Sequence, residues 1–149
     1  MITGVNTVTV WVLDQDSAKT FFTEKLGLEE RTDVPLGESA RWVTVGPKKQ
    51  PEVQLSLTVP GAPVQDAGSA EQLRSLLTKG VLLGCTFTVE DCQAAFQELS
   101  ARGVSFIQEP QPKPWGTSAI FRDDSGTWHE ILQPHSLSGS AERDHSASR

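Results

Sequence analysis

Residues 8–35, "VTVWVLDQDSAKTFFTEKLGLEERTDVP", decide the fold, because a similar pattern returns about 77 residues later in residues 84–110, "GCTFTVEDCQAAFQELSARGVSFIQEP". Identical residues align in the two copies, among them Val12 with Val89, Asp14 with Asp91, Ala18 with Ala95 and, after one deletion, Gly27 with Gly103. Such internal repetition indicates a fold built from two copies of one supersecondary unit.

Each copy reads as a strand followed by a helix. It opens with alternating apolar and polar residues, the period of a half-buried strand. An aspartate then predicts the helix N-cap, Asp14 or Asp16 in the first copy and Asp91 in the second. Gly27 and Gly103 predict the helix ends, where a left-handed backbone is favoured. Apolar residues recur at helical spacing between these limits: Ala18, Phe21, Phe22 and Leu26, and then Cys92, Ala95, Phe96 and Leu99.

Further strands follow each helix, so each half is predicted to be a β-α-β-β-β unit. The strand-like runs are "ARWVTVG" and "EVQLSLTV" in the first half, and "GVSFIQ", "TSAIFRD" and "TWHEILQ" in the second. A Pro- and Gly-rich link carries a short helix from about Ser69 to Lys79. We therefore expect one α+β domain with a first unit (1–60), a linker (61–80), a second unit (81–134) and a disordered polar tail (135–149).

Composition limits the function classes. The 149 residues are 37% hydrophobic, enough for one compact core. Thirteen Lys and Arg stand against nineteen Asp and Glu, and no basic run suggests a nucleic-acid partner. The sequence has neither a membrane span nor a signal-peptide pattern, so we expect a cytoplasmic protein. Cys85 and Cys92 fit no disulfide or zinc pattern and are expected to be reduced thiols.

Strand alternation predicts one aliphatic sheet face and one polar face that carries tryptophans. In the first strand, Val8, Val10 and Val12 oppose Thr7, Thr9 and Trp11. The same alternation sets Val43 and Val45 against Trp42 and Thr44, Val53, Leu55 and Leu57 against Glu52, Gln54 and Ser56, and Cys85, Phe87 and Val89 against Gly84, Thr86 and Thr88. The aliphatic face is expected to pack on the helices. Tryptophans are costly on a solvated face, so the polar face is expected to bind something.

The repeat, with the closing phrase "FRDDSGTWHEILQP" (residues 121–134), resembles the vicinal oxygen chelate superfamily, which includes glyoxalase I, extradiol dioxygenases and bleomycin resistance proteins. The resemblance covers roughly residues 1 to 134. It implies a glyoxalase/bleomycin resistance fold, in which two tandem βαβββ units pair into a curved mixed sheet around a cleft. One fold hosts many functions, so the activity must be argued from the site.

Enzymes of this family hold a divalent metal through residues that correspond here to Thr7, Gln54, Gly84 and Glu130. Only Glu130 is a standard ligand, whereas a stable site needs three or four suitable donors. We therefore predict no metal and no cofactor. Glu130 has a second interpretation, as a residual carboxylate paired with a cation such as Arg122 on the neighbouring strand.

Two functions follow from the resemblance. The first is a metal-free protein that binds or sequesters an aromatic natural product or drug, as bleomycin resistance proteins do in clefts at a homodimer interface. The second is a glyoxalase-type lyase or isomerase, with Glu130 in an atypical metal site or acting as a metal-free general base. The predicted ligand-binding residues of the first are Thr7, Thr9, Trp11, Trp42, Gln54, Thr86, Trp115, Trp128 and Glu130. Of these, Trp115 lies in a loop, "PKPWGTS", positioned to close the cleft.

His129 and Glu130 are adjacent in sequence but are not predicted to act together. Neighbouring residues on a strand point to opposite faces. Glu130 is expected to share the polar face with Trp128, while His129 lies with Ile131 toward the helix layer as a packed residue.

Overall fold

A computed structural model describes residues 1–135, and the predicted disordered tail beyond His135 lies outside the described residues. The elements follow the predicted order of two tandem β-α-β-β-β units joined by a helix. They are β1 (Thr7–Trp11), α1 (Gln15–Thr20), a π-helical turn (Phe21–Lys25), β2 (Glu29–Leu36), β3 (Ala40–Gly46), β4 (Gln54–Thr58), α2 (Ala67–Lys79), β5 (Leu83–Thr88), α3 (Cys92–Ala101), β6 (Ser105–Lys113), β7 (Gly116–Arg122) and β8 (Trp128–Pro134). No helix in residues 1–135 is long and apolar enough to span a bilayer.

The strands form two four-stranded mixed sheets. The first sheet has the order β1-β4-β3-β2 and the second the order β5-β8-β7-β6. In the first sheet β1 runs parallel to β4, while β3 is antiparallel to both β4 and β2. The chain separates into two compact units, one made of Met1–Gly84 with Arg122–Trp128 and the other of Cys85–Phe121 with the chain from His129 onward. The predicted α+β class and the tandem units are confirmed.

The helix caps of the two repeats are equivalent. The Asp14 side chain accepts a hydrogen bond from the Ser17 amide at 2.8 Å, and the Asp91 side chain accepts one from the Ala94 amide at 3.0 Å. These contacts satisfy amides that the first helical turn leaves without a partner. Asp14, and not Asp16, is therefore the cap of α1. The predicted helix ends at Gly27 and Gly103 have φ values of 77° and 90°, the left-handed region that glycine adopts without strain.

Helix α2 begins earlier than predicted. It starts at Ala67, because Asp66 caps it by accepting a hydrogen bond from the Ser69 amide at 2.7 Å. Its end at Lys79 agrees with the prediction, and Gly80 closes it in the left-handed conformation. The backbone contacts of the cap also hold the pKa of Asp66 below its ordinary value.

The core of the first compact unit is aliphatic with two phenylalanines. The aliphatic strand positions and the apolar face of α1 supply it: Val10, Val12, Ala18, Phe21, Phe22, Val43, Val45, Leu55 and Leu57 are all buried. Val8 was predicted to join them but is 43% exposed. It lies toward the start of β1, which is the edge strand of the first sheet.

The core of the second compact unit is aromatic. The Phe121 ring is fully buried and lies 5.7 Å from the Phe106 ring, 6.4 Å from the Phe87 ring and 5.5 Å from the His129 ring. Phe96 on α3 meets Phe106 edge to face at 4.8 Å. Helix α3 therefore packs on the sheet through the Phe96 ring together with its buried Cys92 and Leu99.

The turn between β7 and β8 is built on Asp123. Its carboxylate accepts hydrogen bonds from the amides of Ser125 and Thr127, at 2.9 and 3.0 Å. Gly126 has φ of 105°, and a Cβ there would lie 2.4 Å from the Leu77 carbonyl oxygen. The Ser125 hydroxyl accepts a hydrogen bond from the Leu13 amide at 2.9 Å. The turn formed by "DDSGT" (residues 123–127) thus packs against α2 and is hydrogen-bonded to the residue that follows β1 by two positions.

Candidate functional site

The polar face of the first sheet is set by strand register. Residues paired across neighbouring strands point to the same side of a sheet. Thr7 pairs with Gln54, Thr9 with Ser56, Trp11 with Thr58, and Ser56 with Thr44. Trp42 shares this face because it is two residues from Thr44 on β3. We call Thr7, Thr9, Trp11, Trp42, Thr44, Gln54, Ser56 and Thr58 the polar face of the first sheet.

Trp11 and Trp42 lie on β1 and β3, the two strands that flank β4. One strand, β4, lies between their backbones. Thr58 on β4 pairs with Trp11 between them. Both tryptophan side chains are half-buried, so each retains some accessible surface.

Strands β3 and β4 are bridged by a side chain beside this pair of tryptophans. Their regular pairing covers Thr44 with Ser56 and Val45 with Leu55. Beyond it, the Gln15 amide nitrogen donates to the Arg41 carbonyl at 3.0 Å and to the Leu57 carbonyl at 2.8 Å. Gln15 therefore replaces a section of the backbone ladder and helps fix the position of the Trp42 backbone.

The middle of the polar face is buried. Thr44 is 0% exposed and Ser56 is 2% exposed. The Ser56 and Thr58 hydroxyls lie 2.8 Å apart and share a hydrogen bond. The Thr44 hydroxyl has no hydrogen-bond partner in the described part of the chain, which is uncommon for a buried polar group. Neither Thr44 nor Thr58 was among the predicted ligand-binding residues, although the alternation that selected Trp42 and Gln54 reaches both.

The residues at the family's metal positions in the first sheet bond to each other. Thr7 and Gln54 are direct register partners, and the Gln54 amide nitrogen donates to the Thr7 hydroxyl at 3.0 Å. The Thr7 hydroxyl in turn donates to the Asn6 side-chain oxygen at 2.6 Å. All three are neutral groups, and a divalent metal prefers imidazole, thiolate or carboxylate donors.

Glu130 is the one standard metal ligand among the four positions. Its carboxylate accepts a hydrogen bond from the Thr86 hydroxyl at 3.2 Å, and Glu130 is half-buried on β8. Gly84, the fourth position, is exposed and has no side chain to offer. Within residues 1–135, no three His, Cys, Asp or Glu side chains come together as a possible metal site. The donor set does not fit the family's usual divalent metal.

His129 is a packed residue, as the strand alternation predicts. It is 2% exposed, and its Nδ1 atom accepts a hydrogen bond from the Cys85 amide at 3.0 Å. The imidazole lies 5.8 Å from the Phe87 ring, inside the aromatic core. Because Nδ1 accepts this bond, the proton of a neutral ring is on Nε2.

Arg122 does not have the partner that the sequence suggested. The interpretation that it pairs with Glu130 is wrong, because the guanidinium carbon lies 5.5 Å from the centre of the Trp128 ring and no carboxylate of residues 1–135 pairs with it. Stacking on an indole is a favourable alternative for arginine. Trp128 is half-buried, and its Nε1 atom is buried without a hydrogen-bond partner among the described residues.

Three predicted ligand-binding residues are exposed in this structure: Thr9, Thr86 and Trp115. Trp115 lies in the tight turn between β6 and β7 and is 54% exposed. Thr86 is exposed on β5. The loop that was expected to close a cleft is therefore a short hairpin turn with an accessible indole.

A surface pocket of about 340 Å³ lies along α1 and contains none of the predicted ligand-binding residues. Its lining residues are Asp16, Ser17, Thr20, Phe21, Lys25 and Asp124. The Ser17 hydroxyl donates to the Asp124 carboxylate at 2.7 Å, and burial raises the pKa of Asp124 above its ordinary value. The pocket contains the contact between α1 and the β7–β8 turn, and its geometry suggests no particular ligand.

Relatives of known structure share the fold over nearly the whole chain. UcmS2 is 47% identical, with 89% of this chain and 99% of that chain covered and a TM-score of 0.83. TnmS3, described as an antibiotic-binding protein from Streptomyces sp. CB03234, is 31% identical, with 90% and 98% covered and a TM-score of 0.71.

A relative without an assigned function is also similar. The uncharacterized protein YetH of Bacillus subtilis (strain 168) is 34% identical over 126 residues, which cover 85% of this chain and 94% of YetH. The family model of the Glyoxalase/Bleomycin resistance protein/Dioxygenase superfamily matches residues 4–131. The match includes both repeats and the Trp128 to Glu130 segment, and so this chain belongs to the Glyoxalase/Bleomycin resistance protein/Dioxygenase superfamily.

Proposed function

We propose that this protein binds and sequesters an aromatic small molecule, such as an antibiotic, without using a metal. The observation that carries the proposal is the placement of Trp11 and Trp42 on one face of the first sheet, two strands apart, with Thr58 between them. A planar ring in contact with an indole on each side needs about 7–8 Å between the indoles. Trp11 on β1 and Trp42 on β3 lie on either side of β4, the order of strands that such a stack requires.

Hydroxyls on the same face are suited to orient the ligand. Thr7 and Thr9 lie on the same strand as Trp11, and Thr9 is exposed. A small-molecule site commonly combines aromatic walls with a few polar groups. The polar groups proposed for this role are Thr7, Thr9, Gln54, Thr86 and Glu130, and the aromatic ones are Trp11, Trp42, Trp115 and Trp128.

Two further observations favour sequestration of a ligand over catalysis of a reaction. Thr7 and Gln54 replace the usual metal ligands of the first sheet with a hydrogen-bonded neutral pair. The similar protein TnmS3 is described as antibiotic-binding.

By analogy with bleomycin resistance proteins, we also propose that the protein is a cytoplasmic homodimer. A light-scattering mass of twice 16.2 kDa would support the dimer, and a mass of one chain would exclude it.

Fluorescence titration tests the aromatic site. We expect saturable quenching of tryptophan emission by doxorubicin, a planar tetracycle, or by bleomycin, with no response to the non-aromatic macrolide erythromycin. Trp42→Ala should weaken the affinity at least about tenfold, equivalent to about 1.4 kcal/mol, while Leu76→Ala on the exposed face of α2 should leave it unchanged. Equal affinity of the Trp42→Ala variant and the wild type would overturn the assigned site.

Metal analysis separates sequestration from the glyoxalase-type alternative. Protein purified without chelators should contain far less than one equivalent of Ni, Zn, Fe or Mn per chain. A stoichiometric metal whose content falls in Glu130→Gln would contradict the metal-free proposal and favour the enzyme. Isomerase or lyase activity that is lost in Glu130→Gln without any bound metal would favour the general-base alternative.

A further inference from the structure

We propose that Arg122 is an anion-recognition residue, and that the ligand of this protein carries a carboxylate or a similar oxyanion next to its aromatic ring. Arg122 was not among the predicted ligand-binding residues. The inference rests on the proposed function only in taking the face of β8 that carries Trp128 as part of the ligand site.

The ion pairing of the arginines sets Arg122 apart. Residues 1–135 contain five arginines, and four of them form ion pairs with carboxylates: Arg31 with Glu29, Arg41 with Asp33 and Asp16, Arg74 with Glu71, and Arg102 with Glu98. Acidic side chains outnumber basic ones by nineteen to thirteen in the sequence, so carboxylate partners are plentiful. Arg122 is exposed and yet pairs with no carboxylate in the described part of the chain.

Contacts with Trp128 and Gly80 hold the Arg122 side chain in a defined position. Its guanidinium lies over the Trp128 indole at 5.5 Å. On another side it lies close to Gly80, where a Cβ would be 3.3 Å from the guanidinium carbon. A guanidinium positioned by stacking keeps its N–H donors available in a planar fork that matches a carboxylate.

Trp128 supplies the surface on which Arg122 lies, and its own N–H is not part of the anion site. Its Nε1 atom is buried and has no hydrogen-bond partner in residues 1–135, so an anion arriving from solvent does not reach it. The accessible donors are those of the exposed Arg122 guanidinium, and their charge favours an anionic oxygen acceptor.

The test compares two probes of the same ring, 2-naphthoate and the neutral 2-naphthalenemethanol, by tryptophan fluorescence or calorimetry. We expect the wild type to bind the carboxylate at least about tenfold more tightly than the alcohol. Arg122→Gln should remove that preference and Arg122→Lys should retain part of it, because lysine keeps the charge but loses the fork. Arg74→Gln, the same change of charge at an exposed arginine on α2, should keep the full preference. A preference that survives in Arg122→Gln, or none in the wild type, would overturn the inference.

Sulfate separates this inference from the proposed aromatic binding. We expect sulfate to shift the NMR signal of the Trp128 indole N–H saturably in the wild type but not in Arg122→Gln, with the signal assigned through Trp128→Phe. If sulfate shows this behaviour while neither naphthalene probe binds, the anion site stands and the aromatic proposal fails. If the alcohol binds but sulfate and naphthoate show no dependence on Arg122, the aromatic proposal stands and the anion site fails.

Discussion

The two sheets share one topology but are stabilised by different interactions. In the first compact unit, a network of charges joins α1 to the sheet. The Asp33 carboxylate on β2 accepts hydrogen bonds from the Arg41 guanidinium, at 2.7 and 2.8 Å, and from the Lys19 ammonium. Arg41 also pairs with Asp16 at 2.7 Å. In the second compact unit, the rings of Phe96 and Phe106, with those they contact, connect α3 to the sheet.

The two copies of the repeat share some features and differ in the contacts between helix and sheet. Both copies keep the strand period, the aspartate cap and the glycine end, because these features act over a few neighbouring residues. The contacts that hold the helix against the sheet differ, because ion pairs and ring contacts can both connect a helix to a sheet. The first sheet has two tryptophans on its polar face, whereas in the second the rings of Phe87, Phe121 and His129 contact one another.

The largest effect is expected in the aromatic core. Phe121→Ala removes a fully buried ring that touches three others, so the free energy of unfolding should fall by about 3–5 kcal/mol. Phe121→Leu, which keeps most of the volume, should lose clearly less. Urea denaturation followed by circular dichroism measures both variants. A loss below about 1 kcal/mol for Phe121→Ala would mean that the rings do not carry the stability of this unit.

A smaller effect is expected at Arg31 in the first compact unit. Its guanidinium donates to the carbonyls of Pro47, Gln50, Pro51 and Val53, at 2.8 to 3.3 Å, and so holds the loop between β3 and β4. Arg31→Ala leaves these carbonyls without that donor and should cost about 1–3 kcal/mol. Faster hydrogen exchange at the Val53 amide, which bonds within this loop, should accompany the loss.

Arg102→Ala is the matched control for Arg31→Ala. Arg102 is exposed at the C-cap of α3 and pairs with Glu98 one helical turn away, a contact worth about 0.5 kcal/mol or less. Equal losses of stability in the two variants would contradict the structural role assigned to the Arg31 contacts.

The smallest effect is expected from the charge network around Asp33, since water and salt screen it. Hydrogen bonds from Arg41 and then Lys19 hold the pKa of Asp33 well below its ordinary value of 3.8. A carboxyl whose pKa is lower in the folded state contributes stability above its unfolded pKa, and that stability is lost as the pH falls through its folded pKa. The wild type should therefore be more stable than Asp33→Asn at pH 6, and the difference should shrink below about pH 4.

Urea denaturation at pH 3, 4, 5 and 6, with and without 1 M NaCl, measures this dependence. High salt should reduce the difference between Asp33→Asn and the wild type at pH 6. A difference that stays constant with pH would show that Asp33 acts through packing and not through its charge.

Much of the fold could be predicted because its signals are local. The repeat, the caps at Asp14 and Asp91, and the glycine ends were all readable from spacing. The errors come from non-local context. Val8 has the right period for the core but lies on an edge strand, where less of the chain covers it.

Only part of the candidate site could be predicted from the sequence. Alternation correctly placed Thr7 and Gln54 on the same face and separated His129 from Glu130. Thr58 could have been added to the predicted ligand-binding residues by extending the same alternation along its strand. Gln15 and its bridge between β3 and β4 had no sequence signal, because a helix residue reaches strand carbonyls only after the chain has folded.

The sequence by itself determined the order of the elements, the helix limits and the set of residues that share a face, since each depends on periods and caps spanning a few residues. The tertiary structure decided which of those side chains have partners. Among residues 1–135, the Thr44 hydroxyl is buried without a partner, the His129 Nδ1 atom accepts a hydrogen bond from the Cys85 amide, and Arg122 lies over Trp128 and pairs with no carboxylate. Hydrogen bonds and stacking need atoms within a few ångströms, and residues far apart in the chain reach that distance only in the folded protein.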